Sequence, residues 1–115
     1  MQAFNVTQQR TLAGVLMVAD SFFLSLRGLI GRASLETGHG LWIVPCQSVH
    51  TFWMRFPIDV VFLDKHYKII HLVENLKPHR VSKHVSKANS VIELPISTIK
   101  GTGTQVGDEI QIVQR

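Results

Sequence analysis

A cysteine, a histidine and an aspartate fall within one apolar stretch near the middle of this 115-residue chain. Cys46 is the only cysteine, His50 follows four positions later, and Asp59 lies in the aliphatic run just beyond them. A thiol beside an imidazole that a carboxylate orients is the arrangement of a cysteine nucleophile. These three residues therefore define one hypothesis, a thiol-dependent or acid–base enzyme.

The spacing of Cys46 and His50 argues against this enzyme unless the chain turns sharply between them. On a helix the two side chains would lie about 6 Å apart, whereas on a strand they would lie about 13 Å apart. Pro45 and Pro57 bracket the segment and disfavour a stable helix. A packed thiol beside a hydrogen-bonded imidazole is the commoner reason for such a pair. We therefore expect Cys46 to be largely buried and to react slowly with thiol reagents in the folded protein.

A metal site drawn from His39, Cys46 and His50 is a second chemical hypothesis. Structural zinc sites use four protein ligands, usually from two short paired motifs, and this chain has no such pairs. The other histidines, at positions 66, 71, 79 and 84, are irregularly spaced. We therefore predict no metal and no cofactor, and a fold that persists in the presence of a chelator.

Asp59 is the more unusual side chain, because a carboxylate between two aliphatic residues in a buried strand must find hydrogen-bond donors. The candidate donors are Arg55, His50, Thr51 and backbone N–H groups of nearby loops. We expect Asp59 to brace the fold, and the alternative is a carboxylate at the floor of a ligand pocket lined by the neighbouring aromatic residues. Glu93 raises the same question in a later apolar run.

The chain also resembles a known family in a set of short motifs. These motifs are Cys46-x-x-x-His50-Thr51-x-x-Met54 followed by Ile58-Asp59, then Lys77-Pro78, Glu93-Leu94-Pro95 and Gly107-Asp108. Together they resemble the Domain of Unknown Function 192 family over residues 12 to 113. The resemblance implies a mostly-β domain and no established biochemical role. One departure is the turn after Glu-Leu-Pro, where the family tends to have a small residue, Gly and Thr and this chain has Ile96-Ser97-Thr98.

Positive charge is concentrated in one part of the sequence. The chain has a formal net charge of +4, and residues 64–88 contain six lysine or arginine residues and two acidic residues. The polar loop at 75–86 includes Lys77 and Arg80, and a basic loop of this kind attracts phosphate, an acidic partner or a nucleic-acid backbone. Phe, Tyr and Trp are absent from residues 77–87, so nucleic-acid binding is the least favoured of these alternatives.

Length and composition fit a single domain, residues 1–115. With 45% hydrophobic residues, a chain of this length has a core large enough to fold without disulfides or a metal. A single cysteine favours a reducing compartment, so we expect a cytoplasmic protein. Residues 10–19 imitate a signal peptide, but Asp20 and Arg27 interrupt the apolar segment, and export is the less favoured alternative. No apolar run reaches about eighteen residues, so we expect no membrane span.

Hydrophobic periodicity predicts a mostly-β fold. The predicted strands are, in chain order, 2–6, 12–18, 41–44, 58–63, 68–73, 90–94 and 109–113, and 58–63 and 68–73 are expected to form an antiparallel hairpin. Asp20-Ser21 predicts the start of a helix over 22–30, and a helical turn is expected at 97–100. We therefore predict a small antiparallel barrel or folded sheet of six to eight short strands with one or two short helices, the longer helix covering an open end.

The function that these observations favour is a non-enzymatic accessory domain that binds a small ligand or a protein. Its groove is expected around the segment from Cys46 to Asp59, and the partner to be a small anionic ligand or a protein. The candidate binding residues are Cys46, His50, Thr51, Met54, Asp59, Lys77 and Arg80. The first alternative is the enzyme with Cys46, His50 and Asp59, and the second is a nucleic-acid-associated protein that uses the basic loop 77–87.

Overall fold

The computed structural model describes residues 1–19, 34–52 and 54–114, and its strands form two sheets. The described elements are β1 (Gln2–Asn5), β2 (Arg10–Ala13), β3 (Val15–Ala19), β4 (His39–Ile43), β5 (Ile58–Leu63), β6 (Ile69–Leu76), β7 (Ser90–Pro95), the helix α1 (Thr98–Thr102) and β8 (Ile110–Val113). One sheet has the order β2-β1-β8 and the other β3-β4-β7-β5-β6. Neither sheet closes into a barrel. The predicted mostly-β class is confirmed as two open sheets.

The centre of the five-stranded sheet consists of β7 and β5, whose sequences are apolar almost throughout. All six residues of β5 are buried, as are the first five of β7, which is typical of strands covered on both faces. The predicted hairpin is confirmed, because β5 pairs antiparallel with β6. At its turn the Asp64 carboxylate accepts the backbone N–H groups of His66 at 2.8 Å and Lys68 at 3.0 Å.

The prediction of one strand over residues 12–18 is wrong, because the chain changes sheets at Gly14. β2 pairs with β1 in the three-stranded sheet, whereas β3 pairs with β4 in the five-stranded sheet. The β3–β4 pair is parallel, unlike the antiparallel pairs that we expected throughout. A parallel pair needs a crossover connection, and here the connection runs through residues 20–38. The helix predicted over 22–30 belongs to this connection and lies outside the described residues.

The helical turn expected at 97–100 is confirmed as α1, and a buried polar cluster ties the segment after it to β1. The side-chain amide of Asn5 donates to Thr104 Oγ1 at 3.1 Å and to the Asp108 carboxylate at 3.0 Å. Asp108 also accepts the backbone N–H of Gln105 at 2.9 Å. The Gly107-Asp108 motif therefore fixes the turn that precedes β8.

The five-stranded sheet has two different faces. Its inner face packs against the three-stranded sheet and α1, and the buried residues there are Ala3, Leu12, Ala13, Leu16, Val61, Leu63, Ile69, Ile92, Leu94, Ile99 and Ile110. Its outer face is covered by loops and is called the loop face below. The buried residues there are Ala19, Leu35, Leu41, Ile43, Val49, Met54, Ile58, Val60, Phe62, Ala88 and Val91. No helix within the described ranges is long and apolar enough to cross a membrane.

Candidate functional site

Two loops that are distant in sequence are joined by backbone hydrogen bonds over the loop face. Thr51 donates its N–H to the Arg80 carbonyl at 2.8 Å, and two further bonds, Ser82 to Val49 and Val85 to Gln47, are each 2.9 Å long. We call residues 45–57 (without Trp53, which lies outside the described residues) and 77–87 the double loop. Most of the predicted site residues lie in this unit.

Thr51 holds the two halves of the double loop together. Its side chain is fully buried, and its hydroxyl donates to the Lys77 carbonyl at 2.6 Å and accepts the Arg80 N–H at 2.9 Å. The Thr51 carbonyl accepts the His79 N–H at 3.0 Å. Because its hydroxyl is committed to the backbone, Thr51 acts by positioning the loop that carries Lys77 and Arg80.

Asp59 points away from the double loop. Its side chain is fully buried, and its two carboxylate oxygens accept the backbone N–H groups of Asn75 and Ile99, each at 3.0 Å. Asp59 pairs with Leu94 across the sheet, so both side chains lie on the inner face. Of the donors considered from the sequence, only backbone groups are used. The structure therefore does not bring Asp59 together with Cys46, and the carboxylate of the enzyme hypothesis is on the wrong side of the sheet.

Cys46 lies at the margin of the loop face. Its side chain is partly buried, less than we expected, and the thiol donates to the Ser48 carbonyl at 3.0 Å. Burial raises the pKa of the Cys46 thiol, and the charge of Glu93 raises it further. A raised pKa keeps the sulfur protonated, whereas a nucleophile needs the thiolate.

His50 and Met54 support the double loop from inside. Met54 is 5% exposed and belongs to the loop-face core. The His50 ring packs on Phe52 with centroids 5.3 Å apart, and its buried Nδ1 has no hydrogen-bond partner in the part of the chain that the structure describes. No hydrogen bond joins His50 to Cys46 there either. The pair is therefore not arranged as a catalytic dyad.

The outer surface of the double loop is cationic. Its five basic residues are all exposed, and they are Arg55, Lys77, Arg80, Lys83 and Lys87. The double loop contains no aspartate or glutamate, while the rest of the chain has seven basic and eight acidic residues. Within residues 1–19, 34–52 and 54–114 none of the five forms an ion pair. The positive charge of the protein is therefore displayed on this surface without internal compensation.

Glu93, for which the sequence left open the same two roles as for Asp59, lies in β7. It pairs with Leu41 on one side and Val60 on the other, so its side chain lies on the loop face. It is 4% exposed, and no hydrogen bond to its carboxyl is found among the described residues. Burial raises the pKa of Glu93 to about 8. In the sequence, the unusual position of Glu93 is visible as an acidic residue inside the apolar run of β7.

The described residues contain no group of three histidine, cysteine, aspartate or glutamate side chains that could hold a metal ion. His39 lies in β4, where its imidazole Nε2 is 3.4 Å from the Glu36 carboxylate. The absence of a metal from the protein stays a prediction.

Comparison with known proteins places these features in a family. The model of DUF192, described as an uncharacterized ACR, matches residues 4–112. The chain belongs to the DUF192 family. The resemblance seen in its motifs is confirmed, and the family carries no assigned activity.

Proteins similar to this DUF192 chain in sequence come from Thermococcus and Pyrococcus species. The UPF0127 protein of Thermococcus sibiricus is 31% identical over 111 residues, which are 92% of this chain and 71% of the relative. The UPF0127 protein of Pyrococcus horikoshii is 29% identical over 93% of this chain and 95% of its own length. A crystal structure of a protein of unknown function from Novosphingobium aromaticivorans superposes with a TM-score of 0.82 at 15% identity, covering 96% of this chain and 82% of the other. At that identity the likeness concerns the fold alone.

The motif residues of the DUF192 chain fall into two groups, those whose side chains bind other parts of the fold and those whose side chains do not. Thr51, Asp59 and Asp108 use their oxygens to bind backbone or neighbouring side chains inside the fold. Glu93 has no such use among the described residues, and the Lys77 side chain is exposed. The first group therefore builds the domain, whereas Lys77 presents its side chain at the surface.

Proposed function

We propose that this protein is a non-enzymatic binding domain that recognises an acidic protein surface through the double loop. The observation that carries the proposal is the set of five exposed basic side chains with no acidic residue among them and no ion pair within the described residues. Unpaired surface charge of one sign steers and orients a partner of opposite sign. A cytoplasmic location is part of the proposal and rests on the single cysteine.

Two apolar side chains on the same surface support a protein partner over a small anion. Phe52 is 39% exposed and Val81 is 61% exposed, and both lie among the basic residues of the double loop. Protein interfaces combine aromatic and arginine side chains with an apolar centre. A small inorganic anion would use the charges but not the apolar groups.

The hydrogen bonds within the double loop also support the proposal. Thr51 fixes the backbone at Lys77 and Arg80, so the basic side chains start from an ordered framework. A framework that is ordered before binding loses less conformational entropy when the partner docks.

The non-enzymatic part of the proposal rests on Cys46 and Asp59. The thiol has a raised pKa because of burial, and the Asp59 carboxylate is occupied by two backbone N–H groups on the inner face. No complete set of nucleophile, base and orienting group is formed by these residues.

The test is binding of a fluorescent oligoglutamate peptide to the full chain, followed by anisotropy at several salt concentrations. Arg80→Gln combined with Lys83→Gln should weaken binding about tenfold, since each rim charge contributes up to about 1 kcal/mol. The matched control is Lys65→Gln with Lys68→Gln, which removes two exposed charges outside the double loop and should change the affinity less than twofold. Equal loss in both double variants would contradict the proposal. Tighter binding of a DNA duplex than of the peptide, with a steep salt dependence, would assign the surface to nucleic acid instead.

A further inference from the structure

The strand β8 lies at one edge of the three-stranded sheet, and part of its outer edge is unpaired. Val6 donates its N–H to the Glu109 carbonyl at 2.9 Å, so Glu109 and every second residue after it bond to β1 in this antiparallel pair. The backbone groups of Ile110 and Ile112 therefore point away from β1. The Ile110 N–H donates to the Tyr67 carbonyl at 2.9 Å, whereas no loop or second strand among the described residues bonds to Ile112.

β8 also lacks the features that usually protect a strand edge, which are charged residues, prolines and β-bulges. The opposite edge of the same sheet, β2, begins at Arg10 and pairs with β1 through an irregular register between Ala3 and Phe4. β8 has the sequence Ile-Gln-Ile-Val, without a charge or a proline, and its register with β1 is regular. Its edge is therefore open to the addition of another strand.

An open groove runs along β8 beside the unpaired backbone. Its volume is about 510 Å³, and it is lined by Val6, Tyr67, Glu109, Ile110, Gln111 and Ile112. The Tyr67 side chain is 40% exposed, so an aromatic ring is available to pack against the side chains of an added strand. The groove shows that the surface of β8 is accessible to a partner.

The sequence around Ile112 favours a second copy of β8 as the added strand. Glu109 and Arg115 lie three positions to either side of Ile112 and carry opposite charges, so an antiparallel pair centred on Ile112 sets unlike charges opposite each other. A pair centred on Gln111 would instead need the Ile110 N–H, which already has a partner.

We infer that the protein forms a dimer with two-fold symmetry, in which the β8 strands of two copies pair antiparallel at Ile112. The two Ile112 residues exchange backbone hydrogen bonds, and each Gln114 N–H donates to the partner's Ile110 carbonyl. The two three-stranded sheets become one continuous sheet. Because both copies use the same edge, the assembly closes at the dimer. This interface does not include the double loop, so it is independent of the surface proposed for an acidic protein.

The first test is sedimentation equilibrium of the full chain over a range of protein concentrations, where the parent should show a reversible monomer–dimer equilibrium. Gln114→Pro removes the N–H that donates across the interface, at an exposed position outside β8, and should raise the dimer dissociation constant at least about tenfold. Gln114→Ala keeps this N–H and is the matched control, with a dissociation constant within about twofold of the parent value. The double variant Arg80→Gln with Lys83→Gln should dimerise as the parent does.

The second test determines the register of the pair by disulfide cross-linking in a Cys46→Ser background. In the proposed pair Gln111 lies opposite the partner's Val113, with Cα atoms about 4.5 Å apart, a distance that a disulfide spans. The two copies of Gln111 are diagonal neighbours about 7 to 8 Å apart, which is too far for a disulfide. With oxidised glutathione, an equimolar mixture of Gln111→Cys and Val113→Cys should therefore cross-link at least about fivefold faster than either variant alone.

Three outcomes would overturn the inference. A parent protein that remains monomeric at millimolar concentration would do so, and would leave the edge of β8 to a strand of a different protein. The others are an unchanged dissociation constant in Gln114→Pro and cross-linking of Gln111→Cys alone as fast as that of the mixture. If Gln114→Pro does not fold, hydrogen exchange at the Ile112 amide of the parent decides, because it must slow as the protein concentration rises and the dimer forms.

Discussion

The carboxyl groups of Asp59 and Glu93 lie on opposite faces of the same sheet, although their strands are hydrogen-bonded neighbours. Asp59 pairs with Leu94, and Glu93 pairs with Val60, so the two acidic residues are offset by one position in adjacent strands. Because side chains alternate along a strand, this offset sends them to different environments. The Asp59 carboxylate accepts hydrogen bonds from α1 and β6, and the Glu93 carboxyl lies on the loop face.

Removing the Asp59 carboxylate should destabilise the protein. Asp59→Ala leaves the buried N–H of Ile99 and the partly buried N–H of Asn75 without their acceptors. Each unpaired buried donor costs about 1 to 3 kcal/mol, so the free energy of unfolding in urea should fall clearly. Glu74→Ala, at an exposed position on β6, is the control. An Asp59→Ala protein as stable as the control would show that the two hydrogen bonds contribute nothing.

The stability of the protein should fall as pH rises from 4.5 to about 8, because of Glu93. In this range the unfolded chain releases a proton that the folded protein retains, and the free energy of unfolding decreases by up to about 1.4 kcal/mol per pH unit. Below this range the carboxyl is protonated in both states and contributes no slope.

The control for this pH dependence is Glu93→Gln, whose side chain does not titrate. Among the described residues, the titratable side chains of His39, Cys46 and His71 also lie on this face, and His71 packs on Phe62 with ring centroids 5.2 Å apart. All three remain in the variant, so the difference between the two stability curves isolates Glu93. Parallel curves for the parent and the variant across the range would refute the assignment.

The Thr51 hydroxyl should be needed for order in the basic half of the double loop. Thr51→Val has nearly the same shape but removes the donor to the Lys77 carbonyl and the acceptor of the Arg80 N–H. We expect a loss of about 1 to 3 kcal/mol in unfolding free energy and faster hydrogen exchange at the Arg80 amide. Thr51→Ser restores the hydroxyl and should return the exchange rate toward that of the parent. Unchanged exchange in Thr51→Val would disprove this role.

The Cys46 thiol should react more slowly with an alkylating reagent than a free cysteine at the same neutral pH. Burial and the charge of Glu93 both raise its pKa, and the reactive species is the thiolate. The rate, measured by mass spectrometry, should increase on unfolding in urea. Native-state alkylation as fast as that of free cysteine would instead revive the thiol enzyme hypothesis.

Several features of the fold follow directly from local sequence. The apolar runs at 58–63 and 90–94 gave β5 and β7, and the polar turn at Asp64 gave the hairpin. The expectation that Asp59 braces the fold by accepting hydrogen bonds agrees with its two contacts, because a buried carboxylate must find donors.

The features of the fold that the sequence did not predict depend on contacts between residues that are far apart in the chain. β5 and β7 are buried on both faces, so alternation does not reveal which face meets the second sheet. Asp59 and Glu93 therefore look alike in sequence. The change of sheet at Gly14 was missed for the same reason, since the residues on both sides favour strands and only their partners differ.

In the double loop, main-chain atoms make the contacts that hold the loop in place, and side chains form its exposed surface. At Lys77 and Arg80 the contacts with Thr51 are made by main-chain atoms, which every amino acid except proline supplies at both ends of its peptide unit. The exposed side chains at these positions are thus free to vary without disturbing the framework. Substitutions at these positions can therefore change the charge of the surface without removing the main-chain contacts through which Thr51 anchors the loop.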